Sequence, residues 1–430
     1  MAMVTKTAFA VLLTSFAALL GCTVNPVTGR SQLDLMGEAQ ELEMGKRLYP
    51  GAIQQSLGPI TDEALQEEVG RVGQSVAAVS HRPGLEYHFT AVNDPEVNAF
   101  ALPGGKICIT RGLVSRLQSE DGMAAVLGHE VGHVTARHAV AAYNRQLLAG
   151  AILLGGSVYM EAEDVRNRGL IGLGALVGAQ LVMASYSREQ ERQSDELGMD
   201  YAVRAGYSPA GMIETQRVLL DLQKKEPGVV QRLFADHPMS AERQRTAEER
   251  VAKLPADVVE RPLKVAQFRE VSRNVVAARP AWDKAREASA LLGDQKKLPE
   301  AEAGLAEAVR MAPREGVLRT LHAMALAGLK KQPEAVAEGR QGALLAPDVY
   351  LGRIVAGQLL LQPEPAAALL HLDTAERLFP GVAQVSLLRG RALEALGRRP
   401  EALTAYKQAS ERDPNGEIGH EAASRARSLE

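Results

Sequence analysis

Four prolines, Pro313, Pro347, Pro380 and Pro414, stand 34, 33 and 34 residues apart in the last third of this 430-residue chain. The phrase Leu298-Pro-Glu-Ala301 returns as Gln332-Pro-Glu-Ala335 and Arg399-Pro-Glu-Ala402 on the same period. A fixed period of this length, carried by amphipathic helical segments, leaves little choice of architecture. Each unit is a helix pair that cannot bury its apolar face alone, so neighbours must stack. About four such units form a short α-solenoid, with the third, around Leu361-Gln-Pro-Glu-Pro365, slightly different in length. No cluster of catalytic residue types occurs there. The repeats therefore read as a docking platform, and any chemistry must lie upstream.

Upstream the decisive stretch is Gly122-Met-Ala-Ala-Val-Leu-Gly-His129-Glu130-Val-Gly-His133. His129 and His133 are four apart, so on a helix both imidazoles leave the same face one turn apart, as two corners of a zinc site require. Glu130 leaves beside that face, where a carboxylate can take a proton from a water activated by the metal without itself ligating it. With 9 His and 52 acidic residues, a chance His-acid-x-x-His is expected about 0.02 times. A catalytic zinc needs one more protein ligand and an open position. Glu191 and Asp195, again four apart on a helical pattern, supply Glu191 as third ligand and Asp195 as the acceptor that orients a ligating histidine. The alternative for that segment is a solvated acidic face.

The remaining chain sets the context. Residues 1–21 carry Lys6, then a short apolar run ending at Leu20-Gly-Cys22. This is a secretory signal, too short to span a bilayer, and it resembles a lipoprotein signal with cleavage before an acylated Cys22. Cys108 is the only other cysteine, so no disulfide framework is expected; it reads as a small core residue. A net charge of -3 without basic runs argues against a nucleic-acid partner. Aromatic residues make up only 4%, so the cores must be Leu, Val and Ala, which favours helices. From Glu38 to about Val79 the pattern is helical. Leu85 to Val92, Val97 to Ala101 and Lys106 to Thr110 read as short strands around Pro103-Gly-Gly. If the middle one is an edge strand beside the zinc helix, it can hold an extended peptide, with Asn98, Phe100 and Ala101 as substrate contacts; otherwise it is an ordinary hairpin. Residues 147–183 contain two nearly uncharged segments of about 14 residues, short of the ~20 needed to span a membrane. They are either a buried helical hairpin or one lying on a membrane or partner.

The motifs together resemble the membrane-associated zinc metallopeptidases related to HtpX and the CAAX prenyl protease. His-Glu-x-x-His is followed by Arg188-Glu-Gln-Glu191-Arg-x-x-Asp195, preceded by Asn98-Ala-Phe-x-x-Pro-Gly-Gly105, and trailed by His237-Pro-x-x-x-x-Arg243. With the repeats, which match tetratricopeptide repeats, the whole is similar to the periplasmic BepA-type members. The resemblance implies a mainly α chain: a gluzincin-type α+β catalytic domain with a small sheet at 22–255, a linker with a short helix at 256–281, and a repeat domain at 282–430. It implies one Zn2+ per chain held by His129, His133 and Glu191, with Glu130 catalytic. His237 is then either a fourth zinc ligand that gates the site or a turn histidine; Arg243 is a structural or oxyanion-stabilising partner. The implied activity is endoproteolysis of misfolded or stalled outer-membrane β-barrel proteins, from a lipid-anchored position at the outer membrane facing the periplasm. The repeats would contact those polypeptides or the barrel-assembly machinery. The alternative is a non-proteolytic chaperone or assembly factor working through the repeats.

Overall fold

The computed structural model describes residues 21–145, 186–237 and 241–430. The signal segment and the apolar insert at 147–183 lie outside these residues. Among those described, no helix is long and apolar enough to cross a membrane.

The described residues begin with an antiparallel ribbon of β1 (Gly21–Val24) and β2 (Ser31–Asp34). Helices α1 (Glu38–Gln55) and α2 (Glu63–Ala77) follow. The single helical pattern expected from Glu38 to Val79 is thus two helices. Leu57 and Gly58 adopt positive φ, 62° and 77°, and Pro59 cannot rejoin the helical ladder. A fresh N-cap then forms where the Asp62 carboxylate accepts from the Leu65 amide. Leu65, Val69, Val72 and Val76, one per turn, are fully buried against the sheet and the zinc-motif helix.

That sheet has three strands in the order β3–β5–β4. Strand β3 (His88–Val92) runs parallel to β5 (Lys106–Thr110), and β4 (Ala99–Leu102) pairs antiparallel with β5 from Ala99↔Ile109 to Leu102↔Lys106. The β4–β5 reversal is a single 3-10 turn, Pro103–Gly105, with Gly104 and Gly105 at φ 71° and 80°, a region open at little cost only to glycine. The middle strand is the one that follows, so β4 is an edge, and it forms a hairpin with β5. Cys108 is fully buried in β5, and burial pushes its thiol well above the usual range.

After the short α3 (Arg111–Val114), Ser119 caps α4 (Glu120–Thr135) by accepting from the Gly122 amide. Every residue of α4 is buried, which suits a helix sandwiched between the sheet and α5 (Arg188–Arg204). Helices α4 and α5 meet backbone to backbone. A β-carbon built on Gly128 would sit 2.7 Å from the Gly198 carbonyl oxygen, and one on Gly198 would sit 2.6 Å from the His129 amide nitrogen. Helices α6 (Ala210–Lys225), α7 (Gln231–Asp236), α8 (Ala241–Val251) and α9 (Ala256–Val259) complete this part.

The segment expected as a linker with a short helix is instead dominated by a long one, α10 (Ala266–Ser289). Its first half buries Phe268 and Val275 in the core around the sheet, and its second half buries Ala281, Trp282 and Ala285 in the first repeat. One helix therefore belongs to both cores. Its partners are α11 (Leu298–Met311), then α12 (Gly316–Gly328) with α13 (Gln332–Leu345), α14 (Tyr350–Leu360) with α15 (Pro365–Leu378), α16 (Ala383–Ala395) with α17 (Arg399–Arg412), and a closing α18 (Glu417–Leu429). The second helix of each pair starts at 298, 332, 365 and 399, the period of the sequence, with the one-residue shortening at the third unit. The repeats also touch the sheet domain directly. Arg111, stacked on Trp282, pairs with Glu315 at 3.0 Å, and Gln54 bonds the backbone of Asp348 and Tyr350.

Candidate metal centre

Helix α4 presents His129 and His133 on the face turned to α5, and α5 returns Glu191 and Asp195 from two successive turns. The chain after α7 brings in His237 from a third direction. His129, His133, Glu191 and His237 each offer one ligand atom, all within 4.8 Å of one another, and all four residues are buried. The separations are 3.0 Å between His129 Nε2 and His133 Nε2, 3.4 Å from His129 Nε2 to His237 Nδ1, and 3.0 Å from His237 Nδ1 to Glu191 Oε1. Glu191 Oε1 lies 3.4 Å from His133 Nε2, and Glu191 Oε2 3.5 Å from His129 Nε2. Ligand atoms at zinc-like radii around a tetrahedron stand about 3.3–3.4 Å apart. The donors thus have the spacing and the chemistry of a small tetrahedral metal site.

Hydrogen-bond directions support the same fit. His129 Nδ1 lies 3.0 Å from Asp195 Oδ1; the carboxylate accepts, so the proton sits on Nδ1 and Nε2 presents a lone pair. Two lone pairs facing each other at 3.0 Å, as at His129 and His133, are repulsive unless a cation or a proton lies between them. Glu191 Oε2, also buried, pairs with Arg243 Nη1 at 2.7 Å, which leaves Oε1 turned to His133 and His237. Burial lowers His133 well below the ordinary histidine value, against the pull of Glu191. Burial opposes the charged forms of Glu191 and His237 as well, but here the neighbours win. His237 and His129 hold the Glu191 carboxyl far below the usual range, and Glu191 with Glu130 raises His237 to about 9. The pocket attracts positive charge at its centre.

Glu130 is buried, with Oε1 3.8 Å from His237 Nε2. It borders a cavity of ≈ 50 Å³ walled by Ala99, Leu113, Val126, Met212, Leu219 and Leu233, room for about one or two waters. Arg243 stands behind the ligands. Its Nε and Nη2 each donate at 2.6 Å to the two oxygens of Asp195, a bidentate clamp; burial would raise Asp195, but its hydrogen bond with His129 and then the Arg243 guanidinium hold it below the usual carboxylate range.

The expected substrate contacts divide. Ala101 lies beside His133 and Tyr186 on the α4 side of the sheet. Alternation along β4 turns the Phe100 side chain to the other face, packed with Ala52, Leu102 and Cys108. Asn98 is fully buried and joins β4 to Thr110, whose hydroxyl accepts from its amide. Ala99, which borders the cavity beside Glu130, was not singled out by the sequence. Nor were Tyr186, stacked on His133 with ring centroids 3.9 Å apart, or His138, whose Nδ1 is 2.9 Å from His133 Nδ1. His138 stands five residues past His133, a spacing that shares no helical face. It reaches back because α4 ends at Thr135 and Arg137 turns the chain with φ 56°. The Glu41 and Met36 partners of Arg137 hold that turn.

Residues 63–251, which contain His129, Glu130, His133, Glu191, Asp195, His237 and Arg243, match the model of peptidase family M48. The segment is a peptidase M48 domain. Over 238 residues the chain is 26% identical to the beta-barrel assembly-enhancing protease of Escherichia coli K12, an alignment covering 55% of this chain and 48% of the relative. Over 162 residues it is 33% identical to the metalloprotease LoiP of the same organism, covering 36% of this chain and 60% of that one. The chain spans about half the length of the assembly-enhancing proteases it matches. Among solved structures, YrrB, a TPR protein with an unusual peptide-binding site, aligns with 49% of this chain and 99% of its own at 15% identity and a TM-score of 0.31. That likeness adds nothing to the helix pairing described above.

Proposed function

We propose that the chain is a zinc-dependent endopeptidase of the bacterial periplasm that acts on misfolded or stalled envelope proteins, outer-membrane β-barrels above all. The observation that carries the reading is the convergence of His129 Nε2, His133 Nε2 and Glu191 on one point, with Glu130 at its side. His129, His133 and Glu191 would hold one zinc. Bound there, the metal would polarise the scissile carbonyl and bring the pKa of water to about 7. Glu130 takes the proton of the attacking water and passes it to the leaving amine. Asp195 fixes the His129 tautomer, and Arg243, which donates to both oxygens of Asp195, fixes Asp195 and is thereby a positioning group.

His237 Nδ1 stands at the fourth corner, where it donates to Glu191 Oε1 at 3.0 Å and would have to lose that proton to ligate; this supports a resting site that opens when α7 moves. Edge strand β4 then offers its backbone to an extended substrate. The β-barrel clients are inferred from the similarity to beta-barrel assembly-enhancing proteases and the periplasmic address from that similarity with the signal-like residues 1–21, the repeats supplying the surface for clients or for the barrel-assembly machinery. Cys22 as lipid anchor to the outer membrane belongs to the same proposal. A second reading, a non-proteolytic assembly factor with a structural metal, is favoured by one observation, the histidine at the fourth corner, because structural zinc sites are closed and catalytic ones keep an open position.

The deciding experiment is zinc content and casein cleavage of the full chain beside Glu130→Gln and His237→Ala. One zinc per chain, faster cleavage by His237→Ala and loss of cleavage in Glu130→Gln support the gated protease. Zinc in all three with cleavage in none favours the assembly factor.

A further inference from the structure

We propose that His138 and Gln193 are positioning residues that make His133 a ligand through Nε2, by a chain of hydrogen bonds whose direction the amide oxygen of Gln193 sets. The inference rests on the metal reading above and extends it to residues that no motif of the sequence marked. His138 Nε2 lies 2.9 Å from Gln193 Oε1. An amide oxygen only accepts, so His138 carries its hydrogen on Nε2 and a lone pair on Nδ1. That lone pair faces His133 Nδ1 at 2.9 Å, so His133 donates from Nδ1 and keeps Nε2 free. The Ser194 hydroxyl, 3.4 Å from the same His138 Nδ1, donates in the same sense.

The opposite polarity has a defined cost. If Gln193 donated through its NH2, His138 would carry its hydrogen on Nδ1, and His133 would be forced to carry its own on Nε2. That hydrogen would occupy the direction in which a ligand must present a lone pair. The two metal-facing histidines are thus oriented by different devices: His129 by a carboxylate clamped by Arg243, His133 by an uncharged two-residue relay. Gln193 sits two residues after Glu191 and two before Asp195 on α5. The helix that brings the third ligand therefore also orients both histidines of α4.

The test uses the full chain with ¹⁵N-labelled histidine and a chelator competition for zinc. In metal-free wild type, long-range ¹H–¹⁵N spectra should show His133 with its hydrogen on Nδ1. Gln193 is half-buried at the edge of an open pocket, so substitution there is tolerated. Gln193→Met, which offers no oxygen, should weaken zinc about 10–100-fold. Gln193→Glu, which accepts in the same place, should bind at least as tightly as wild type. A His133 hydrogen on Nε2 would overturn the proposal, and so would equal zinc affinity of the Met and Glu variants. A wild-type chain that bound no zinc would refute the metal reading instead, and the tautomer spectra would still decide this one.

Discussion

The sharpest quantitative consequence concerns Gly198, because the centre is assembled by two helices that touch through glycine. An alanine β-carbon there would lie 2.6 Å from the His129 amide nitrogen and 2.9 Å from the Gly128 carbonyl carbon. Both are backbone atoms inside a fully buried helix, so neither can swing aside. Restoring ordinary contact near 3.4 Å requires α5 to move away from α4 by about 0.8 Å. Overpacking of this kind costs about 1–3 kcal/mol, and replacing a helical glycine with alanine returns about 1 kcal/mol. The net destabilisation is then about 0–2 kcal/mol. The metal centre is affected more than the fold, since Glu191, Gln193 and Asp195 ride on α5 while both histidines ride on α4. Ligand geometry must be held to within about 0.5 Å, so Gly198→Ala should lose at least about 10-fold in zinc affinity. The assay is chelator competition, with thermal melting of the metal-free chain alongside. Gly70→Ala is the control: it lies in α2 with nothing within 4 Å of the added carbon, and it should stabilise without touching zinc. If Gly198→Ala melts higher than wild type and binds zinc equally well, the close-contact argument is wrong.

Two further outcomes follow from charge placement. Asp195 is held below the usual carboxylate range, so its stabilising contribution is complete above the unfolded value near 3.9 and lost as pH falls through the lower folded value. Melting of metal-free Asp195→Asn should therefore depend less on pH below about 4 than wild type, and identical acid slopes would refute this. At the interface with the repeats, Glu315→Gln leaves Arg111 buried and charged beside Trp282 and should cost about 2 kcal/mol. Arg111→Met, which removes the charge as well, should cost less; a larger loss of melting temperature for the Met variant would contradict that.

How much of this was legible in the chain is clearest residue by residue. Spacings of three and four report a shared helical face, so His129 with His133, Glu191 with Asp195, and the buried stripe Leu65, Val69, Val72 and Val76 could be read directly. The 34-residue period located the repeat helices and the single shortened unit. What the sequence could not supply was any pairing across long separations or across a break in regular structure. The switch to positive φ at Leu57 and Arg137 has no periodic signature, so the split between α1 and α2 and the return of His138 over His133 were hidden. The side on which Phe100 falls depends on the register of β4 against β5, which places Ala99 and not Phe100 beside Glu130. The roles of Asp195 and Gln193 exist only because α4 and α5 cross at glycines closely enough for one helix to reach the imidazoles on the other, and that of Arg243 because α8 packs behind α5. Local chemistry determined which residues could bind a metal; the tertiary contacts decided which of them meet and brought His237 beside the other three.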